Sequence, residues 1–194
     1  VKGTTTFEGA APLTINSKNT QTYTGAVSLN QNVTFLAGTN AVTFESTVNS
    51  DSAKNLICGN DTTGTPVIFK GNVGAASSIG NLSFYGPVTL AGSIKTTSTQ
   101  TYSDDILITT NATLTATEVI LNKADAVYPA TEVIQNVSGT NLTLDTPTVT
   151  VSQKTNVTAP VELAKDVEIG GTKAITFGGA TGTAGKNITV TGDV

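Results

Sequence analysis

Apolar side chains recur at every second position in short runs along this chain, and not at the three-to-four spacing of a helix. Val27/Leu29, Val33/Phe35, Val42/Phe44, Val67/Phe69, Leu82/Phe84 and Val88/Leu90 set the pattern. Ile106/Ile108, Leu142/Leu144, Val149/Val151, Val161/Leu163, Val167/Ile169, Ile175/Phe177 and Ile188/Val190 continue it. Such alternation predicts short strands that turn one face inward. Three doublets (27/29 with 33/35, 82/84 with 88/90, 161/163 with 167/169) leave three residues between their pairs, often including Asn, Gln, Lys or Gly, enough for a corner. Thr117 to Tyr128 comes nearest to a helix, but it carries no sustained apolar stripe.

The runs belong to larger, degenerate repeats. Thr20-Gln21-Thr22-Tyr23 returns as Thr99-Gln100-Thr101-Tyr102, and Asn32-Val33-Thr34 then matches Asn111-Ala112-Thr113. A further copy is read by aligning Thr24 to Leu29 with Thr158 to Leu163, Gly38 to Phe44 with Gly171 to Phe177, and Lys54-Asn55-Leu56 with Lys186-Asn187-Ile188. Copies at about 3–97, 98–153 and 154–194 differ in spacing by roughly one solenoid coil. Insertion of a whole coil leaves its neighbours' packing intact, whereas sandwich domains do not usually vary that way. The expected fold is therefore all-β, one single-chain parallel β-solenoid domain (a β-helix) spanning 1–194. Coils of roughly 20–27 residues would make about seven to nine turns. The alternative is an antiparallel β-sandwich of pilin or immunoglobulin type.

Composition supports the strands and removes classes of chemistry. Thr, Val and Ile dominate, and these β-branched residues favour strands. There is no His, so no imidazole acid/base pair, Ser-His-Asp triad or His-bound zinc is available. All ten basic residues are Lys, so the bidentate Arg clamp for phosphate or carboxylate is missing as well. A net charge of −4 and a pI near 4.6 argue against a nucleic-acid surface. No apolar run is long enough to span a bilayer. Cys58, the one cysteine, can form no internal disulfide and shares a strand face with Leu56, which suits a buried small hydrophobe. The first residue is Val1 with no charged-then-apolar leader, as in a processed chain or an excerpt. With little charge and abundant Thr, Asn and Gly, the expected location is extracellular, at a cell surface.

The Thr-Gln-Thr-Tyr segment, the Gly/Pro-Val-x-Leu step and the Thr-Phe-x-Gly segments resemble filamentous haemagglutinin-type adhesin repeats. Similar repeats occur in bacterial exoproteins and autotransporter passengers. The resemblance implies a right-handed β-helical rod displayed at a cell surface. It carries over no catalytic or binding residue, because those repeats are scaffold. The secretion module and membrane barrel of a complete family member are not in this sequence, so it would correspond to a rod segment or a short relative.

Several side-chain groups invite a chemical reading. Asp104-Asp105 is the one adjacent acidic pair. β-Helical polysaccharide hydrolases use clustered aspartates, so a carbohydrate-binding or carbohydrate-cleaving groove would join the pair to Tyr102 and Tyr23. The plainer expectation is a solvated corner before Ile106. Asp51, Asn60 and Asp61 lie in a Gly/Thr-rich stretch that offers oxygen ligands to calcium, but their spacing matches neither an EF-hand nor a glycine-rich calcium nonapeptide. Asn-x-Ser/Thr sequons occur at Asn32, Asn60, Asn81, Asn111, Asn136, Asn141, Asn156 and Asn187, which admits glycosylation. Positions i and i+2 share a strand face, so a polar face generates the same motif by geometry. Thr20/22/24, Thr97/99/101, Thr113/115/117 and Thr146/148/150 would give an ice-binding solenoid if stacked in flat ranks, and stacked Thr ladders otherwise.

The expected function is non-enzymatic: the rod of a surface adhesin or of a self-assembling filament or sheath, with no catalytic residue, cofactor or metal. Partners would be further copies of the chain or a larger surface assembly, and a host or matrix glycan, but not nucleic acid. Solenoids normally need polar caps, and both ends of this sequence fall inside its own repeat pattern, so homopolymeric assembly is expected.

Overall fold

The computed structural model describes residues 1–123, 134–139, 142–151, 154–164, 166–171, 175–177 and 188–191. The chain winds as a parallel β-solenoid of about seven turns. Every strand pairs in parallel with the strand one coil before or after it, which excludes the antiparallel sandwich. No helix occurs among the described residues, and Glu118–Leu121, inside the nearest helix candidate, is a strand. The rest of that candidate from Ala124 onward lies outside the described residues.

Each coil visits three faces in turn. Face I starts with Thr5–Phe7, Val27–Leu29 and Val48–Ser50. It crosses Val73 by single bridges and resumes with Ile94–Lys95, Ala112–Thr115, Leu142–Asp145 and Val161–Leu163. Face II is a nine-stranded sheet running from Leu13–Asn16 through Val33–Leu36, Leu56–Cys58, Leu82–Phe84, Thr99–Tyr102 and Glu118–Leu121 to Ile188–Thr191. Face III has eight strands, from Gln21–Tyr23 through Val42–Phe44, Val67–Phe69, Val88–Leu90, Ile106–Ile108 and Ile134–Gly139 to Ile175–Phe177. At about 4.8 Å per strand, nine strands make a rod roughly 40 Å long.

The register shows why coil length wanders. Leu13 faces Val33, Val33 faces Leu56, Leu56 faces Leu82 and Leu82 faces Gln100, so successive coils take 20, 23, 26 and 18 residues. The coil from Ile106 to Val137 takes 31. This range is wider than the sequence spacing suggests, yet the strands stay in register, because the extra residues enter the corners. The corner from face III to face I hardly varies. Residues 24–26, 45–47, 70–72, 91–93 and 109–111 each supply three residues there. Successive backbones touch at this corner: a Cβ on Gly25 would fall 2.2 Å from the Gly3 carbonyl oxygen, and one on Gly92 would fall 2.8 Å from the Gly71 carbonyl. Variation is left to the other two corners.

Inward positions of the three faces fill one continuous core. Leu29, Phe35, Leu56, Cys58, Leu82, Phe84, Leu90 and Tyr102 are all fully buried. Cys58 is thus the buried hydrophobe its spacing implied, and burial pushes its thiol well above the ordinary range. The first half of the core is an aromatic column. Phe7, Tyr23 and Phe35 meet edge to face at 5.6–5.7 Å, Tyr23 stacks on Phe44 at 5.4 Å, and Phe44 stacks on Phe69 at 5.1 Å. Phe84 and Tyr102 extend it, with centroids 5.4 Å apart. Beyond Tyr102 the filling becomes aliphatic, and a cavity of about 20 Å³ opens among Leu114, Leu121, Val137, Leu144 and Val149. Branched aliphatic side chains span the coil's cross-section less completely than Phe does, which leaves this void.

The two Gln-x-Tyr repeats make the same local bond. Tyr23 donates to Gln21 Oε1 at 3.0 Å and Tyr102 to Gln100 Oε1 at 2.9 Å. They do so on different faces: Gln21–Tyr23 belongs to face III and Thr99–Tyr102 to face II. The fully buried Gln100 amide also donates to the Thr115 carbonyl at 2.9 Å, so the tyrosine and glutamine satisfy each other inside the core. Both tyrosines are core residues, so neither reaches the surface groove that the carbohydrate reading required of them.

An asparagine ladder fastens the corner from face I to face II. Asn32 Oδ1 accepts the Asn55 N–H at 2.9 Å, Asn55 Oδ1 accepts the Asn81 N–H at 2.9 Å, and Asn81 Oδ1 accepts the Thr99 N–H at 3.2 Å. Each residue of the ladder stands immediately before a face II strand and serves the coil above it.

If the aromatic column is the main packing term, Phe44→Ala should lower unfolding free energy by about 3–5 kcal/mol. Thr89→Ala, on the outer side of face III, should stay within about 0.5 kcal/mol of the parent. Urea midpoints followed by circular dichroism would check both; equal effects would refute the column's role.

Candidate functional site

The corner from face II to face III is where the chain departs most from a plain coil. Residues 59–66 link Leu56–Cys58 to Val67–Phe69, and residues 122–133 link Glu118–Leu121 to Ile134–Gly139. Between these long connections stand two short ones, 85–87 and 103–105. A groove of about 420 Å³ lies along this edge, lined by residues 60–64 of the first long corner, Tyr85, Thr101, Ser103, Asp104 and the Asn122–Lys123 segment.

The upper wall is a folded turn. Asn60 and Thr63 exchange backbone hydrogen bonds at 2.9 and 3.0 Å, and Asn60 Oδ1 accepts from the Thr62 N–H at 3.0 Å and the Thr62 hydroxyl at 2.8 Å. Gly59 has φ +86°, and a Cβ there would lie 2.7 Å from the Thr63 carbonyl oxygen and 2.9 Å from the Tyr85 Cβ. Glycine is therefore required for the turn to close against Tyr85. Tyr85 directly follows the inward Phe84, so strand alternation carries its ring out of the core and into the groove.

The lower wall is held by charge. Lys123 Nζ lies 3.0 Å from Asp104 Oδ1 and 2.9 Å from Asp105 Oδ1. Asp104 Oδ1 also accepts the Asp105 N–H at 2.8 Å, and Asp105 Oδ1 accepts the Asn136 N–H at 2.8 Å. Burial works to raise the Asp105 carboxyl, but the Asn136 amide and the Lys123 ammonium outweigh it and hold the group below its ordinary value. For Lys123 burial works downward, and the two aspartates outweigh it and raise the ammonium. Ser103 donates to Asn122 Oδ1 at 3.0 Å beside the clamp.

The structure regroups the residues singled out from sequence. Asp104-Asp105 is a corner, as its position before Ile106 implied, but one tied to the next coil by Lys123. Asn60 and Asp61 line the same groove as Asp104, although 43 residues separate Asp61 from Asp104 in sequence. Asp51 stands at the opposite end of the Leu56–Cys58 strand, at the corner from face I, where it accepts from Ser52 at 2.8 Å; it does not join them. Among the sequons, Asn32, Asn60 and Asn111 are exposed, and Asn81 and Asn136 are half-buried. Asn156 lies in the strand Lys154–Val157, and Asn141 and Asn187 lie outside the described residues. In Asn32, Asn81, Asn111 and Asn136 the middle residue of the sequon (Val33, Leu82, Ala112, Val137) is buried, the arrangement that strand alternation creates by itself. The Thr-x-Thr segments fall on three different faces and so form no single rank: Thr22 on face III, Thr99 and Thr148 on face II, Thr113 on face I.

Sequence reasoning passed over Tyr85, Asn122 and Lys123. Tyr85 was within reach, since a residue next to an inward Phe must leave the core. Lys123 was not, because its pairing depends on coil register. No protein-family model matches the chain, and no curated protein or solved structure matches it either.

The clamp has a defined pH window. Asp105, with a depressed pKa, contributes stability that is present above about pH 4 and is lost as pH falls through its lower folded value. Lys123, with a raised pKa, contributes below about pH 10 and loses its contribution as pH rises through its higher folded value. Lys123→Ala should therefore destabilise by about 1 kcal/mol at neutral pH, an amount limited by solvent screening. The difference from the parent should shrink below about pH 3. Thermal melts of both proteins across that range would test this; a pH-independent difference would contradict it.

Proposed function

We propose that the chain is a non-enzymatic rod segment of an extracellular surface protein, an adhesin shaft or the subunit of a filament or sheath. The observation that carries the reading is the stacking of every coil on the next. Backbone ladders run along faces II and III and, joined by single bridges at Val73, along face I, and one apolar core runs from Phe7 to Ile169. Force along the axis would be shared by every strand pair of a coil at once, an arrangement suited to a spacer or fibre.

The outer positions suit hydrated or lightly adhesive faces. The outward column of face II reads Thr14, Thr34, Ile57, Ser83, Thr101, Ile120 and Thr150, and that of face III reads Thr22, Thr43, Ile68, Thr89 and Leu107. These columns carry no charge, and Glu118 and Glu168 beside that of face II add only sparse charge, so neighbouring rods would approach with little repulsion. The likeness of the repeats to filamentous haemagglutinin-type adhesins is consistent with this role.

The proposed self-association would use the first coil. Its strands Thr5–Phe7, Leu13–Asn16 and Gln21–Tyr23 are paired on one edge only, and Phe7 and Ile15 are half-buried where later coils bury their counterparts. Thr5 Oγ1 and Gln21 Nε2 are shut off from solvent without a hydrogen-bond partner. A further coil stacked there, from another copy or from an adjoining part of a longer chain, would cover the apolar groups and pair the edge.

Negative-stain electron microscopy of the native material should show filaments, and Ile15→Lys should abolish them. Dispersed short rods at every concentration, unchanged by Ile15→Lys, would contradict self-assembly. Surface labelling of intact cells with an antibody to the chain should succeed; labelling only after permeabilisation would contradict the extracellular assignment.

A further inference from the structure

We propose that the groove between the turn at 60–64 and the Asn122–Lys123 segment is a binding site for a short, uncharged oligosaccharide, with the Tyr85 ring as its platform. The inference concerns this groove alone and holds whether or not the rod polymerises.

Tyr85 is set apart from the other aromatic side chains. Phe7, Tyr23, Phe35, Phe44, Phe69, Phe84 and Tyr102 belong to the core column, and Phe177 packs against the core. Among the described residues, Tyr85 is the one aromatic ring that is neither in the core nor packed against it, and it lies in the groove, partly exposed. A half-exposed aromatic ring offers a flat apolar face to the C–H face of a pyranose while its hydroxyl stays in water.

Around the ring stand groups that match sugar hydroxyls. Asn60 and Asn122 carry amides, Thr62 and Ser103 carry hydroxyls, and Asp61 and Asp104 carry carboxylates, so donors and acceptors both face the groove. Several are fixed beforehand. The Asn60–Thr62 bonds set the upper wall, the Ser103–Asn122 bond sets the floor, and Lys123 holds Asp104. Order present before binding lowers the entropy cost of the complex. The volume of about 420 Å³ falls within the roughly 300–1,000 Å³ usual for small-molecule sites.

Charge narrows the ligand class. Asp61 and Asp104 face the groove with a single cation, Lys123, which already spans Asp104 and Asp105. A sulfated or carboxylated glycan would meet net negative charge, whereas a neutral hexose or N-acetylhexosamine chain would not.

The test is a screen of the full chain against neutral and acidic glycans, followed by titration calorimetry with the best neutral tetrasaccharide. Neutral glycans should bind and sialylated or sulfated ones should not. Tyr85→Ala should weaken binding at least ten-fold, Tyr85→Phe should retain it within about two-fold, and Thr89→Ala, outside the groove, should leave it unchanged. Asp61→Ala, at an exposed position unneeded for folding, should cost several-fold and serves if Tyr85→Ala proves unstable. Failure of every neutral glycan, a preference for acidic glycans or for peptide, or full binding by both Tyr85→Ala and Asp61→Ala would overturn the proposal.

Discussion

Each coil of this protein satisfies its backbone only through the coils on either side. A strand of three residues makes no internal hydrogen bonds, so its N–H and C=O groups must find partners about 4.8 Å along the axis. Parallel pairing then puts like positions over like positions, and every inward residue must pack against the inward residues of its neighbours. The aromatic column, the stacked asparagines before face II and the glycine contacts at the corner from face III to face I all express that rule. A large side chain is acceptable inside only if the coils above and below accommodate it. At Gly25, Gly71 and Gly92, where successive backbones touch at one corner, no side chain fits.

The same constraint divides labour among the corners. Where coils meet backbone to backbone, three residues turn the chain and little else is tolerated. The corner from face II to face III is looser, and insertions there leave the strand ladder untouched. The insertion at 59–66 and the Asn122–Lys123 segment line the groove around Tyr85, and Lys123 is clamped to Asp104 and Asp105. Chemistry-bearing side chains thus collect on one edge of a scaffold that is otherwise hydroxyl, amide and methyl. Repeat proteins often place per-repeat insertions on their binding side, and the position of the groove accords with that habit.

Much of the fold was legible because the signal is local. Alternation such as Val67/Phe69 or Leu82/Phe84 reports which way each side chain points, and the burial follows it. The repeats were a weaker guide to register. The matches of Gly38 to Phe44 with Gly171 to Phe177 and of Lys54-Asn55-Leu56 with Lys186-Asn187-Ile188 keep each strand on the same face. The Thr-Gln-Thr-Tyr match does not, because what it preserves is the bond from Tyr to Gln two residues before it, and that bond forms on either face. For the same reason Tyr102 and Tyr23 could be mistaken for surface residues. The groove was illegible from spacing alone: Asp61, Tyr85, Asp104 and Lys123 come together only once coil lengths of 18 to 26 residues are known at each step, and those lengths sit in corners that carry no periodic signal.

The most direct test of coil-on-coil stacking is to remove one coil. Val88 faces Ile106, so deleting residues 88–105 takes out one strand from each face and joins Pro87 to Ile106 in register. The account predicts a protein that still unfolds cooperatively, keeps its β-type circular dichroism, and is shorter by about 5 Å in solution scattering. Deleting residues 88–96, half a coil, should instead destroy the fold. If the full-coil deletion unfolds the chain as completely as the half-coil deletion, the coils are not interchangeable stacked units and the account is wrong.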